Sequence, residues 1–477
     1  MKSNRIATIA SGTGLAALAA LVIGTAPAQA AAAYGATAAT EAAALDLAMK
    51  SIAIRSVIGE GNRTADVAAL YRDRLVAAGW AAGDVAITPF EDTAYLIATW
   101  PGSDPTLKPL VLSGHMDVVE AKRADWQRDP FGPVVEDGLL YGRGATDMKF
   151  DGAMLVTALA DLRKQGFRPR RTIVLEFSGD EETTMKTSSV IAEKLKNAEL
   201  VLNVDGGGGA FDEASGKPLY WTWGGAEKTY ADFQLEVRNP GGHSSAPHPD
   251  NAIVQLAQAL EKIGAYQFAA EQNAITREWF AKAAAYQPDP AKAAAMRAFA
   301  VNKDDAAAVA LLRSDPSLVG KTGTTCVPTM LAGGHALNAL PQRATANINC
   351  RIFPGHSRAE VIAELQKVIA APVVTISDVS QGSVETGPSP VRADFVGAAT
   401  KAIRAAWGKD LPVIATQDSG ASDSAYFRVN GVPSYNASPT FAKHSESFSH
   451  GLNERVRLSN VKPALTYYFS IIPDLAK

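Results

Sequence analysis

Pro109-Leu-Val-Leu-Ser-Gly-His115-Met-Asp117 reads as a short strand, apolar on both faces, that runs straight into a histidine and an acid. Arg171-Thr-Ile-Val-Leu-Glu-Phe-Ser-Gly-Asp180-Glu181-Glu182 repeats the pattern, and Leu200-Val-Leu-Asn-Val-Asp205 repeats it again. A strand that is apolar on both faces is buried on both, which is the condition of a parallel sheet covered by helices. Helical periodicity over residues 148–166 separates the first two strands, a further strand is predicted at 95–100, and helices precede it over 40–80. The fold class is therefore α/β, with a mixed, largely parallel sheet flanked by helices. In such sheets ligands gather just outside the carboxyl ends of the strands, where these acids stand.

Beyond Glu227 the pattern changes. Residues 231–237 alternate like an antiparallel strand, 251–264 look helical, and an Ala-rich helical stretch continues to about Arg313. Strands at 324–331 and 344–352, a helix from Ser357 and a strand at 372–377 follow. This is an α+β module inserted into the α/β domain, giving segments 31–228, 229–384 (the insert) and 385–477. Helical and strand patterns resume at 391–407, and strands at 412–416 and 432–436 could join the first sheet. If Ala332 pairs with Ala344 across a hairpin, Cys326 faces Cys350. A disulfide and two buried free thiols both fit that placement.

The chain has 477 residues, with 47% hydrophobic and 20% charged side chains, and a formal net charge of −3. The composition is that of a globular protein, and without a dense Lys/Arg stripe nucleic acid is not an expected partner. Residues 1–30 differ from the rest. Lys2 and Arg5 precede an apolar run to about Ile23, and Ala28-Gln29-Ala30 supplies a small-x-small cleavage site. A bacterial signal peptide cleaved after about Ala30 is expected, with a periplasmic or secreted mature protein. No later apolar run reaches the length of a membrane span, so no stable membrane anchor is expected after cleavage.

Four sets of groups converge by this reading: His115 and Asp117; Asp180, Glu181 and Glu182; Asp205; and Asp147 in Gly142-Arg143-Gly144-Ala145-Thr146-Asp147 at the next helix start. Asp147 alone would be read as a helix cap. Carboxylates grouped without a cation repel and raise one another's pKa values, and a divalent metal removes that penalty. Histidine with several carboxylates suits Zn²⁺, with Co²⁺ or Mn²⁺ as substitutes.

The order His115-x-Asp117, Gly-Arg-Gly-x-x-Asp147, Asp-Glu181-Glu182, Asp205 and His450-Gly-x-Asn-Glu resembles the M20 metallopeptidases. That family includes glutamate carboxypeptidase, acetylornithine deacetylase, succinyl-diaminopimelate desuccinylase and aminoacylase. The resemblance implies a zinc-exopeptidase-like catalytic domain with an inserted dimerisation (lid) domain, and a homodimer. It implies two metal ions per subunit. His115, Asp147 and Asp205 would hold one, and Asp147 would bridge to a second held also by Glu182 and His450. Glu181 would be the general base, and Asp117 would orient the His115 ring. Gly241-Gly242-His243-Ser244-Ser245-x-Pro247 resembles the family's dimerisation motif, so His243 would act on the partner's site as an oxyanion donor. Asn338 and Arg351 would bind the substrate carboxylate and carbonyl, and Gly420 would contact substrate through its backbone. Phe150-Asp151-Gly152 and Glu120-Ala121 depart from the family's usual residues, but neither touches an expected ligand. His444 competes with His450 as a ligand; the Gly-x-Asn-Glu neighbours favour His450.

The implied activity is cleavage of an amide bond in small peptides bearing a free carboxylate, of carboxypeptidase or dipeptidase type. An N-acyl amino acid deacylase of the same family is the alternative. A catalytically silent periplasmic binding protein is the alternative from another class; it would be expected to lack Glu181 or a ligand, and all are present.

Overall fold

The computed structural model describes residues 34–446 and 448–477, so the leader expected over 1–30 lies outside the described residues. The strands read from the opening motifs stand at the middle of a ten-stranded sheet. Across it run Val85–Phe90, Thr93–Trp100, Ile173–Ser178, Leu110–His115, Leu200–Asn203, Ser434–Asn436, Pro218–Glu227, Gly208–Phe211 and Phe441–Ala442, with Val413–Asp418 branching from Pro218–Glu227. Ile173–Ser178, Leu110–His115, Leu200–Asn203 and Ser434–Asn436 are successive parallel neighbours, while Val85–Phe90 and Thr93–Trp100 add antiparallel pairs at one edge. The sheet is thus mixed and mostly parallel at its centre, as its apolar runs predict.

Every residue of Leu110–His115 and of Ile173–Ser178 is buried. Leu110, Leu112, Ile173 and Leu175 face a core shared with Leu47, Leu155, Ile403 and Ile472 from four helices; Val111, Val174 and Val201 face Ile191 and Phe427 on the other side. The helix Lys149–Lys164 fills the predicted position between the first two strands.

The segment from Thr229 onward forms a separate four-stranded antiparallel sheet: Thr325–Gly333, Arg343–Ile352, Thr229–Arg238, Val374–Asp378. Helices Ala252–Ala265 and Arg358–Ile369 cover one face, packing Leu256, Ile263, Leu365 and Ile369 on Phe233, Leu235 and Ile348. The Ala-rich helices do not join this core. Phe280, Met296, Phe299 and Leu312 pack with Ile414, on the branch strand of the large sheet.

Cys326 and Cys350 are register partners and form a disulfide, with Cα atoms 4.1 Å apart. The far end of that hairpin differs from the expected register: Ala332 pairs with Thr345, and Ala344 with Gly333. The pairing slips between Pro328 and Met330. Pro328 has no N–H for the ladder, so an extra residue there is a bulge with an evident cause. Among the described residues, no helix is long and apolar enough to cross a membrane.

Candidate metal and substrate site

At the carboxyl edge of the central strands, His115, Asp147, Glu182 and His450 approach one another. His115 is the last residue of its strand, and Gly114 before it is tightly enclosed. A Cβ at Gly114 would stand 2.7 Å from Met148 Sδ, so a larger residue would have to displace the end of the Met148 side chain. His115 Nε2 lies 3.0 Å from Asp147 Oδ1, and His450 Nε2 lies 3.2 Å from Asp147 Oδ2. His450 Nε2 is also 2.9 Å from Glu182 Oε2. One carboxylate, Asp147, therefore sits between two imidazoles. His115, Asp147 and Glu182 each offer a ligand atom, and these atoms lie within 4.8 Å of one another.

Asp117 is fully buried. Its carboxylate accepts the backbone N–H of Glu181 at 3.1 Å and of Glu182 at 3.0 Å, and stands 3.6 Å from His115 Nδ1. The nearer acceptor for that nitrogen is the backbone carbonyl of Asp117, at 3.0 Å. Asp117 thus fixes both the ring and the loop that carries the two glutamates. Asp180 faces away from the cage. Its carboxylate accepts the N–H groups of Lys186 (2.8 Å) and Thr187 (2.9 Å), capping the helix Lys186–Lys194.

The electrostatics are those of acids crowded around a space for a cation. Burial pushes Glu181 well above the usual carboxyl range, and Asp205, Asp423 and Glu182 add to this against the pull of His115. Burial also raises Asp205, with Asp147 contributing. Glu182 is raised by burial while His450 opposes it. Hydrogen bonds to Asp147 and Glu182 push His450 up to about 10. Burial works against charge on His115, but Asp117 and Asp147 prevail and raise its pKa well above the ordinary value. A divalent cation among these oxygens and nitrogens would stabilise all the carboxylates in charged form, and the His/Asp/Glu donor set suits one.

Glu454, which ends the His450 motif, was assigned no role from sequence. It is fully buried, and its carboxylate accepts from Arg143 Nη1 (2.7 Å) and from the backbone N–H groups of Gly144 (3.1 Å), Thr146 (2.7 Å) and Asp147 (3.0 Å). It therefore ties the His450 segment to the turn that presents Asp147. The only signal in the sequence was its place at the end of the His450-Gly-x-Asn-Glu motif.

A cleft of about 600 Å³ opens beside the cage, lined by Glu181, Glu182 and His450 together with Arg351 and Gly420. Arg351 stacks over Tyr230 at 4.7 Å and donates to the Ser419 carbonyl at 3.3 Å. His243 and Asn338 do not line this cleft. They lie together on an exposed two-stranded ribbon, where Ser244 N donates to the Asn338 carbonyl and His243 Nδ1 is 2.7 Å from Ser245 Oγ. His444 is exposed and lies outside the Asp147–His450–Glu182 contacts.

This combination, an α/β sheet presenting His and acids at its carboxyl edge beside an Arg-lined cleft, defines a hydrolase of metallopeptidase type. The family model described as Peptidase family M20/M25/M40 matches residues 111–474, and the chain belongs to that family. A probable carboxypeptidase S-like 2 of Dictyostelium discoideum is 25% identical over 413 residues, covering 80% of this chain and 74% of its own. The mouse (Mus musculus) N-fatty-acyl-amino acid synthase/hydrolase PM20D1 is 26% identical over 410 residues, covering 79% and 76%. In fold, the chain is similar to the M20 family metallo-carboxypeptidase Sso-CP2 from Sulfolobus solfataricus. The TM-score is 0.68 at 19% identity, with 91% of this chain and 99% of that one covered.

Proposed function

We propose that this protein is an exported, dinuclear-metal amidohydrolase that cleaves small peptides bearing a free carboxylate, in the manner of a carboxypeptidase or dipeptidase. The observation that carries the reading is the single cleft shared by Glu181, Glu182, His450, Arg351 and Gly420. His115, Asp147 and Asp205 would hold one cation, and Asp147, Glu182 and His450 the second. Two such ions, Zn²⁺ by family likeness with Co²⁺ or Mn²⁺ able to replace it, would supply Lewis acidity that polarises the scissile carbonyl and acidifies a water molecule.

The chain's own groups do the rest. Glu181, held by the Asp117 grip on its backbone, takes the proton from the attacking water and returns it to the leaving nitrogen. Arg351 pairs its planar fork with the substrate carboxylate, and the Gly420 backbone lies along the substrate. His243 would donate to the developing oxyanion of the partner subunit's substrate. In support of a dimer, the edge strand Thr325–Gly333 leaves Val327, Met330 and Leu331 exposed at 54, 72 and 70%. An apolar sheet edge of this kind calls for a covering surface. The basic-apolar-small pattern of residues 1–30 supports export to the periplasm or beyond.

A second reading, hydrolysis of N-acyl amino acids, is favoured by the likeness to the mouse N-fatty-acyl-amino acid synthase/hydrolase. A panel of dipeptides and N-acyl amino acids, assayed with and without chelator, tests both. Chelator-sensitive release of a free amino acid is expected; metal-independent turnover, or none across the panel, would overturn the proposal.

A further inference from the structure

The four-stranded sheet of the insert has two unlike faces. Phe233, Leu235, Ile348 and Cys350 belong to the core beneath the helices. Side chains alternate along a strand, so Tyr230, Asp232, Asn347, Asn349 and Arg351 share the opposite face. There Tyr230 is the register partner of Arg351, and Asp232 that of Asn349. Tyr230, Asp232 and Arg351 all line the cleft that also holds Glu181, Glu182 and His450.

These side chains are linked in series, ending at the guanidinium. The side-chain amides of Asn347 and Asn349 donate to Asp232 Oδ1, at 2.8 and 3.0 Å. Asp232 Oδ2 accepts from the Tyr230 hydroxyl. Burial works against charge on Asp232, but these hydrogen bonds and the nearby Arg351 prevail and hold its pKa below the ordinary value. The phenol is thus tied to an ionised anchor, and the Arg351 guanidinium lies 4.7 Å from the centroid of its ring. That arrangement attracts the cation through the ring face. Among the described residues, Arg351 has one hydrogen bond, to the neutral Ser419 carbonyl at 3.3 Å. A ring against its face and a carbonyl at one edge fix the plane, while most of its N–H donors stay free for a carboxylate.

We propose that Tyr230, anchored by Asp232, is the positioning residue that holds Arg351 ready for the substrate carboxylate. The inference rests on the amidohydrolase reading above. Selectivity for a free carboxylate then depends on Tyr230 and Asp232, whose effect reaches the substrate through Arg351.

The test uses the metal-loaded full chain with Ala-Ala and N-acetylalanine, each as the free acid and as the C-terminal amide. The wild type should prefer the acid of the pair it cleaves by about tenfold or more in kcat/KM, the scale of a charge-assisted hydrogen bond. Tyr230→Leu should raise KM for the acid by about tenfold with little change in kcat, the loss of one partly desolvated cation–π contact, and should leave the amide unaffected. Tyr230→Phe keeps the ring and loses the anchor. It should melt near the wild-type temperature and raise the same KM by about threefold, as should Asp232→Ala. In an Arg351→Ala background, Tyr230→Leu should change nothing further. An acid preference that Tyr230→Leu and Tyr230→Phe both leave intact, or a KM that rises equally for the amide, overturns the positioning role alone. A wild type that cleaves acid and amide alike overturns Arg351 as the carboxylate's partner, and failure to cleave any of the four compounds overturns the amidohydrolase reading; this inference falls with either.

Discussion

Glu454 accepts a hydrogen bond from the backbone N–H of Asp147 at 3.0 Å, joining the last motif of the chain to the acid that stands between two imidazoles. The same carboxylate pairs with Arg143, so removing it leaves a buried guanidinium without its counter-charge. Glu454→Ala should destabilise the fold by roughly 3–5 kcal/mol, the usual cost of breaking one half of a buried ion pair. Thermal denaturation reads this loss directly. Metal affinity should fall as well, by about 10–100-fold, because the Asp147 turn is no longer held. Unchanged stability would show that the pair is not formed.

Asp117 makes its contacts without lining the cleft. Asp117→Asn keeps the shape but can no longer accept both the Glu181 and Glu182 N–H groups with full charge. Turnover should drop by about 10–100-fold, with metal still bound at saturating concentration. Parallel measurement of kcat and metal content separates this from loss of the cage; if both quantities stay at wild-type levels, Asp117 has no positioning role.

Arg351 is expected to act on binding more than on chemistry. Arg351→Lys keeps the charge and loses the planar fork, so KM should rise by about tenfold or more while kcat changes less. Steady-state kinetics on one dipeptide decides it. An equal fall in kcat with KM unchanged would place Arg351 in the transition state instead.

Asp151 offers a pH-dependent test. Burial pushes its carboxyl up to about 6, although Ser438 Oγ (2.6 Å) and Thr440 Oγ1 (2.7 Å) donate to it. A group raised in the folded state binds its proton more tightly there than in the unfolded chain. Its contribution is therefore fully present below the unfolded value near 4 and is lost as pH rises through 6. Asp151→Asn, which stays neutral, should gain thermal stability relative to wild type between pH 4 and pH 7. A melting-temperature difference that is flat with pH would contradict this.

Much of the architecture was legible because double burial leaves a plain mark. The runs before His115, Glu181 and Asp205 had to be apolar on both faces, and they form adjacent parallel strands. The disulfide partners were also readable from hairpin spacing, although the bulge at Pro328 moves the far end by one residue. Other features left no such mark. The antiparallel pair Gly208–Phe211 and Pro218–Glu227 was missed, because its glycine run resembles a loop and its burial depends on neighbours distant in sequence. The Ala-rich helices carry a clear period, but the period does not name the partner, here Ile414. At the site, residue type brought attention to His115, Asp147, Glu182 and His450, which do approach one another. Type alone could not distinguish Asp180, a helix cap, from Glu181 beside it, nor reveal that Glu454 holds the Asp147 turn. Both roles depend on which backbone N–H groups happen to be near, and that is settled only by the folded chain.

The most direct test of the central claim is a calorimetric titration of chelator-stripped protein with Zn²⁺. Two equivalents per chain should bind to the wild type, and Asp147→Asn, which removes the carboxylate lying between His115 and His450, should weaken both. Absence of binding, or a single equivalent indifferent to Asp147→Asn, would contradict a shared cage for two cations.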